Sequence, residues 1–425
     1  NHAKIGYLAQ ELTQNQKEKS IYDFCIEGDD FFNCSPGEIA QIENQLFLSE
    51  GMLYSDQKMG QLSGGEKVKV QIARILIGKP DVLFLDEPSN DIDLETLKWL
   101  EEFICKSNLP ILFISHDEML LENTANKIIH LEQIQRKTKP RWTVAANGYR
   151  EYMENREKGM IHQEQVAKNE RIAYKKQREK FLRIQQKVEY QQATITRQNP
   201  HGGQLLKKRM HVVKAQERRM EKEYQELTEI PETEDAILIR FGEKAVMPHG
   251  KRVLEFYRKT LYSGERILAK DLQLTVIGPE HIGIVGKNGV GKTTFIREIW
   301  KELENRRDIH VFYMPQNYEE LLDEKRTPIE FLAESGKKEE LSKVRTYLGS
   351  MKYTAEEMSH PLWELSGGQK AKLLLLKMSM AGSDVLLLDE PTRNFSPLSN
   401  PVIRQLLQEF KGTIISVSHD RKYIQ

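Results

Sequence analysis

The chain has 425 residues, of which 39% are hydrophobic and 30% charged, with 63 Lys and Arg balanced by 63 Asp and Glu. Such a composition excludes a disordered chain and suits two or three globular domains. No apolar run approaches the ~18 residues of a membrane-spanning helix, and three cysteines with no C-x-x-C pair argue against a thiolate metal site and fit a reducing cytoplasm.

In chain order, the first recognisable segment is Leu62-Ser-Gly-Gly-Glu66, followed by the apolar run Val82-Leu-Phe-Leu85. That run predicts a strand, and Asp86 and Glu87 sit at its carboxyl end, where open α/β sheets place ligands. Ile114-Ser-His-Asp117 follows a second short strand.

Residues 149–228 read differently. Between Lys168 and Lys222 there are 16 Lys or Arg against 5 Asp or Glu, a surplus of eleven that the rest of the neutral chain must offset. Phe181, Ile184, Val188 and Ile195, then Leu206, Met210, Val213, Met220, Tyr224 and Leu227, recur at three- and four-residue spacing, which predicts two helices packed as a coiled coil. Arg197-Gln-Asn-Pro-His-Gly-Gly203 between them predicts a break, so the segment should be an antiparallel hairpin whose second helix has about 25 residues. Lys207-Lys-Arg209 and Arg218-Arg219 supply phosphate-seeking charge without a base-reading motif, as in binding to a nucleic-acid backbone.

After the hairpin, Gly286-Lys-Asn-Gly-Val-Gly-Lys-Thr293 fits the phosphate-binding pattern G-x-x-x-x-G-K-[ST]. It follows the apolar strand His281-Ile-Gly-Ile-Val285 and leads into the helix-like Thr294-Phe-Ile-Arg-Glu-Ile-Trp300. Gly286, Asn288, Gly289 and Gly291 let backbone N–H groups face phosphates, and the helix that follows presents its positive end. Lys292 should then hold the β- and γ-phosphates of ATP, and Thr293, with Thr294 beside it, should reach the magnesium ion. Tyr262, just before Gly264-Glu-Arg-Ile267, is a candidate to stack on adenine, and Gln316, 24 residues after Lys292, to link magnesium and water. Asp389, ending Val385-Leu-Leu-Leu388, is placed to hold magnesium, and Glu390 to act as general base on the attacking water. His419, after Thr413-Ile-Ile-Ser-Val417, is placed to contact the γ-phosphate.

These motifs repeat. Leu365-Ser-Gly-Gly-Gln369 answers Leu62-Ser-Gly-Gly-Glu66, and Asp389-Glu390 answers Asp86-Glu87. Ser63 precedes Asp86 by 23 residues and Ser366 precedes Asp389 by 23; Asp86 precedes His116 by 30 and Asp389 precedes His419 by 30. Two copies of one α/β fold are therefore expected, with Gln10, Asp86, Glu87 and His116 as counterparts of Gln316, Asp389, Glu390 and His419.

With these residues in hand, the chain resembles the ATP-binding-cassette family over nearly its whole length, Leu-Ser-Gly-Gly-Gln being that family's signature motif. The resemblance implies two P-loop cassettes, residues 1–148 and 229–425, joined by the basic hairpin at 149–228 and stacked head to tail within one chain. It implies that Ser63, Gly64 and Gly65 cap the ATP held by Lys292, that Ser366, Gly367 and Gly368 are the matching signature of the second cassette, and that Asp93 is a bridging aspartate. The first copy carries no phosphate loop, whose lysine would fall upstream of residue 1, and the chain stops soon after His419, so both ends are expected to be cut short. At the second bridging position, seven residues past Asp389, stands Ser396.

Tandem cassettes with a charged helical linker resemble the ABC-F family, whose members bind ribosomes and send the linker toward the tRNA exit region and peptidyl-transferase centre. Asn147-Gly-Tyr-Arg-Glu-Tyr152 resembles that family's lead into the linker, and Pro391-Thr-Arg-Asn-Phe-Ser-Pro-Leu-Ser399 resembles its antibiotic-resistance branch. The resemblance implies an ATPase that meets ribosomal RNA and tRNA, with displacement of ribosome-targeting drugs, or a housekeeping role in translation, as its purpose. The energy subunit of a membrane transporter is the rival from another class, but only 53 and 50 residues separate Gln10 from Ser63 and Gln316 from Ser366, less than such cassettes usually hold.

Overall fold

The computed structural model describes residues 3–27, 29–134, 139–194, 200–231, 241, 247–264, 266–333 and 335–424. The chain forms two compact units, one of Asn1–Ala125 together with Glu234–Gln425, the other of Asn126–Thr233.

The amino-terminal half of the first unit contains β1 (Ile5–Leu8), helix α1 (Gly64–Ile77), β2 (Val82–Asp86), α2 (Leu94–Lys106), β3 (Ile111–Ile114) and α3 (Glu118–Thr124). The strands pair in parallel in the order β1-β2-β3. Leu83 and Leu85 are buried in one core with Val70, Ile72, Ala73 and Ile77 of α1. Each fully buried leucine of this kind stabilises the fold by about 1.5–3 kcal/mol. Side chains alternate along a strand, so Ile5, Tyr7, Leu112 and Ile114 lie on the opposite face, and all four are exposed.

The second unit holds β4 (Ile128–Ile134) and β5 (Lys139–Ala145), an antiparallel pair, then α4 (Tyr149–Thr194) and α5 (Pro200–Glu226). The helices run antiparallel: Gln163 donates to the Glu229 carbonyl, the Thr228 N–H to Glu170 and Gln177 to Glu223, so positions rise on one as they fall on the other. Phe181, Val188, Val213 and Met220 form their common core, with Tyr174 and Met210 packed against it. Two expectations change. Ile184 is exposed, because the buried positions on α4 are Phe181 and Val188, one seven-residue step apart; Tyr224, also exposed, still sets its ring 5.1 Å from that of Tyr174 on α4. Of the break expected at Arg197–Gly203, Pro200 to Gly203 instead form the first turn of α5. Proline is tolerated there because a first-turn N–H has no intrahelical acceptor. Residues 195–199 lie outside the described residues.

The first unit resumes with β6 (Lys251–Ser263) and β7 (Arg266–Gly278), a long antiparallel hairpin, then β8 (His281–Ile284), α6 (Lys292–Leu303), β9 (Val311–Met314), α7 (Gly367–Met380), β10 (Val385–Asp389), α8 (Asn400–Gln408), β11 (Thr413–Val417) and the short helix α9 (Arg421–Ile424). Its sheet is wholly parallel in the order β8-β11-β10-β9. Here both faces are covered. Ile296, Ile299 and Leu303 of α6 pack on Val385, Leu387, Ile415 and Val417, while Leu373 to Leu376 of α7 share a core with Leu386, Leu388 and Ile414. Every residue of β10 and β11 is therefore buried, which is why these strands read as continuous apolar runs. The two halves are thus two α/β cassettes, as the repeat implied.

Phe181→Ala is expected to loosen the helical pair by about 3 kcal/mol. Amide hydrogen exchange within α4 and α5 should quicken by roughly two orders of magnitude, while exchange in β10 stays as it was.

Candidate active site

The site grows from β10 and its neighbours. Because β10 is central and buried, Asp389 at its end has no exposed surface. Its two carboxylate oxygens have no hydrogen-bond partner, apart from the pull of the nearby Thr293 hydroxyl. Burial raises its pKa, with Thr293, Arg297 and Lys292 opposing. Glu390 follows in the left-handed region, φ 56°, a conformation that costs a non-glycine residue energy and turns the side chain back toward the site. Its N–H donates to the Val417 carbonyl at 2.9 Å, and its Oε2 accepts from the His419 N–H at 3.1 Å. Burial pushes the Glu390 carboxyl up to about 7, the His419 N–H pulls it down and Asp389 pushes it up again. His419 is driven down to about 4, first by burial and then by Lys292, so near neutrality its imidazole is uncharged. Its Nε2 lies 3.6 Å from Glu390 Oε1, a contact between a neutral ring and a carboxyl rather than an ion pair.

The glycine loop is built as its pattern requires. Gly289 and Gly291 have φ of 75° and 101°. A methyl group added at Gly291 would also stand 2.6 Å from a Leu268 methyl. The Lys292 amine donates to the carbonyls of Gly286 and Lys287 at 2.9 and 3.1 Å and to Asn288 Oδ1 at 3.4 Å. Burial lowers its pKa while Glu390 and Asp389 oppose.

A cavity of about 430 Å³ joins these groups to the first cassette. Asn288, Gly289, Gly291, Lys292, Thr293, Thr294, Gln316, Asp389, Glu390, Arg393 and His419 line it from one side, and Asn90, Asp91, His116 and Asp117 from the other. Asp91, a residue the motifs did not single out, ties the sides together. Its carbonyl accepts from Asn288 Nδ2 at 2.6 Å and its carboxylate pairs with Arg393 at 2.7 Å. A methyl group at Gly64 would lie 1.8 Å from that same carbonyl oxygen, so glycine is required there. Lys287 adds a cross-cassette ion pair with Glu95 at 2.5 Å.

Other expected residues fall nearby or elsewhere. Ser63 caps α1, with Glu66 closing a capping box. Ser63, Gly65 and Asp93 line a neighbouring hollow with Lys287 and Asn288 rather than the cavity of Lys292. Asp93 caps α2 through the Thr96 N–H at 3.0 Å; burial pushes its pKa up, but Thr96, Lys287 and His419 outweigh that and lower it. Tyr262 pairs across the hairpin with Ile267, next to the cavity-lining Leu268, but its own ring is exposed and outside the cavity. Ser366 caps α7 with Gln369, and Gly368 lies close to Asn394. In the first cassette Glu87 repeats the geometry of Glu390: φ 47°, with its Oε2 accepting from the His116 N–H at 3.1 Å. Burial raises its pKa, against His116. Asp86 instead accepts from the Tyr7 hydroxyl at 3.2 Å, and Gln10 is exposed. Ser396 bonds to Ser399 just ahead of α8. That helix starts eleven residues past Asp389, whereas α2 starts eight past Asp86, so Ser396 lies within the turn, at the position from which Asp93 caps its helix.

The orphaned, buried carboxylate of Asp389 beside the Thr293 hydroxyl is a hard-oxygen donor set that fits a magnesium ion completed by phosphate oxygens. Among the described residues no group of three or more His, Cys, Asp or Glu could hold a metal by itself.

A family model described as "ABC transporter" matches residues 1–90 and 269–393. "Energy-dependent translational throttle protein EttA" of Haemophilus influenzae is 30% identical over 381 residues, 87% of this chain and 63% of its own length. "Ribosome protection protein VmlR" of Bacillus subtilis is 29% identical over 386 residues, 86% of this chain and 67% of its own. "ABC transporter F family member 5" of Arabidopsis thaliana is 28% identical over 381 residues, covering 87% of this chain but 51% of its own. The chain spans about half the length of that relative and of others like it. Among solved structures, the archaeal ribosome recycling factor aABCE1 in complex with stalk protein aP1 superposes with a TM-score of 0.56 at 18% identity, over 99% of this chain and 70% of that one. At that identity the likeness is one of fold.

Glu390→Gln should stabilise the protein relative to the parent as pH rises. A carboxyl whose folded pKa of about 7 exceeds the ordinary 4.5 costs stability increasingly from pH 4.5 to 7, and glutamine carries no such cost. The gap in melting temperature between variant and parent should open across that window and stay level above it.

Proposed function

Because the chain belongs to the ABC transporter family, we propose that it binds ATP with magnesium in the cavity shared by its two cassettes, hydrolyses it there, and acts on the ribosome in the cytoplasm through its basic helical hairpin. The observation that carries the ATPase reading is the convergence of Lys292, Thr293, Gln316, Asp389, Glu390 and His419 on one cavity, closed by Asp91 and His116 from the other cassette. Magnesium would be held by Thr293, Gln316 and Asp389, and when bound it neutralises phosphate charge. The loop N–H groups and the amino end of α6 receive the phosphates, and Lys292 exchanges its loop oxygens for theirs. Glu390, poised near neutrality, takes a proton from the attacking water. His419, uncharged, offers one ring N–H to the γ-phosphate. Ser63 and Gly65 line the adjoining hollow with Asp93, and together with Gly64 they would close on the same nucleotide. Asp86, Glu87, His116 and Gln10, with Ser366, Gly367 and Gly368, are the corresponding groups of a second site.

The ribosomal reading is supported by two relatives named for ribosome protection and for translational throttling, and by the surplus of eleven positive charges between Lys168 and Lys222. A polyanion rewards that arrangement through counterion release. Displacement of ribosome-bound drugs is the finer reading, supported by the Pro391–Ser399 stretch and by similarity to the protection protein. Among the described residues no helix is long and apolar enough to cross a membrane.

Glu390→Gln should retain ATP and slow its hydrolysis by roughly 10²–10⁴-fold. In the parent, turnover should rise with pH through about 7, because only the ionised carboxylate accepts a proton; a flat profile would remove Glu390 from that role. In pelleting assays the chain should sediment with ribosomes when ATP is present. Replacing Lys207, Lys208 and Arg209 by alanine should flatten the salt dependence of that binding and leave ATP turnover without ribosomes nearly unchanged. Rescue of a drug-arrested translation extract supports the protection reading, and a change in undrugged translation alone supports the housekeeping one.

A further inference from the structure

Along the same interface the two cassettes meet through a second set of charges, of which Asp117, Glu118 and Asp420 also line the cavity. Arg421 pairs with Glu101 at 2.5 Å and with Asp117 at 3.5 Å. Arg404 pairs with Glu118 at 2.7 Å and with Asp420 at 3.1 Å. Lys422 adds contacts to Glu118 and Glu122 at 3.1 and 2.6 Å. The four principal side chains are largely withdrawn from water, Arg404 and Arg421 being 11% and 12% exposed and Glu118 and Glu101 6% and 15%. Screening by salt is weak at such depth.

Their positions in the repeat are equivalent. Glu101 and Arg404 each stand 15 residues past the strand-ending aspartates Asp86 and Asp389. Glu118 and Arg421 each stand 32 past the same aspartates. Position 15 of either cassette therefore meets position 32 of the other, the relation a two-fold axis generates. The first cassette is acidic at both positions and the second basic at both. Two first cassettes set face to face in this geometry would oppose four carboxylates, and two second cassettes four guanidinium groups. Like charges so placed cost several kcal/mol across an interface, whereas the mixed pair gains from both contacts.

We propose that Glu101, Glu118, Arg404 and Arg421 are specificity-determining residues that admit only the pairing of a first with a second cassette and reject both homotypic pairings. The cavity then always receives Lys292 and Glu390 from one kind of cassette and Asp91 and His116 from the other. Asp117 directly follows His116 and Asp420 directly follows His419, so the same contacts hold both histidine loops in place.

The test uses two variants of the whole chain. Arg404→Glu with Arg421→Glu makes both faces acidic, and Glu101→Arg with Glu118→Arg makes both basic. Its turnover arm rests on the proposed ATPase reading; its assembly arm does not. Each variant alone, shown to be folded by circular dichroism, should lose at least about tenfold in ATP turnover, one such factor corresponding to about 1.4 kcal/mol of like-charge repulsion. Mixed in equal amounts, the acidic variant's intact first cassette meets the basic variant's intact second cassette across an unaltered interface. The mixture should then sediment as a two-chain complex and recover at least tenfold in turnover. Folded variants that keep parental turnover, or a mixture that sediments as single chains, would overturn the proposal. A parent without ATP turnover would instead refute the ATPase reading, while the sedimentation of the mixture still decides the pairing.

Discussion

Burial of two adjacent carboxylates at the end of one central strand is the constraint from which the candidate site follows. Asp389 is wholly inaccessible and Glu390 nearly so, and no apolar environment tolerates such a pair without compensation. Compensation comes from several elements at once: the Thr293 hydroxyl at the start of α6, the His419 N–H after β11, and the charges of Lys292, Arg297 and Arg393. The glycine loop, the histidine loop and the strand end are thus held in one place by shared electrostatics as much as by the sheet. The same demand explains the left-handed backbone of Glu390, which directs its carboxylate to the His419 amide.

The first cassette repeats part of this design. Glu87 has the same backbone and the same histidine amide, yet Asp86 is less buried and shares a bond with the exposed Tyr7. In the second cassette Ile296, Ile299 and Leu303, on the helix that follows the glycine loop, cover the sheet beside this strand end.

Asymmetry also organises the contact between cassettes. Asp91 supplies a carbonyl to Asn288 and a carboxylate to Arg393, while Ser396, in the longer turn of the second cassette, bonds to Ser399. Along the same interface, the acidic positions Glu101 and Glu118 face the basic positions Arg421 and Arg404. A near-symmetric fold thereby carries a polar, directional interface.

Much of this was legible in the sequence, for definite reasons. A phosphate loop needs glycines at set places because backbone, not side chains, meets the ligand, and the spacings 23 and 30 recur because equal strands and helices fill them. Continuous apolar runs marked β10 and β11 because buried parallel strands lack a polar face. Periodicity also announced the helical pair, whereas its exposed Ile184 shows that spacing alone does not choose between neighbouring stripes on a helix. What pattern could not supply was proximity between residues far apart in the chain. Asp91 with Asn288, Glu101 with Arg421 and the solvent-facing Tyr262 depend on how the two cassettes and the β6-β7 strand pair come together. Local propensity acts within a few residues, while these contacts arise from burial and charge pairing across hundreds, and only the tertiary structure brings such groups within reach of one another.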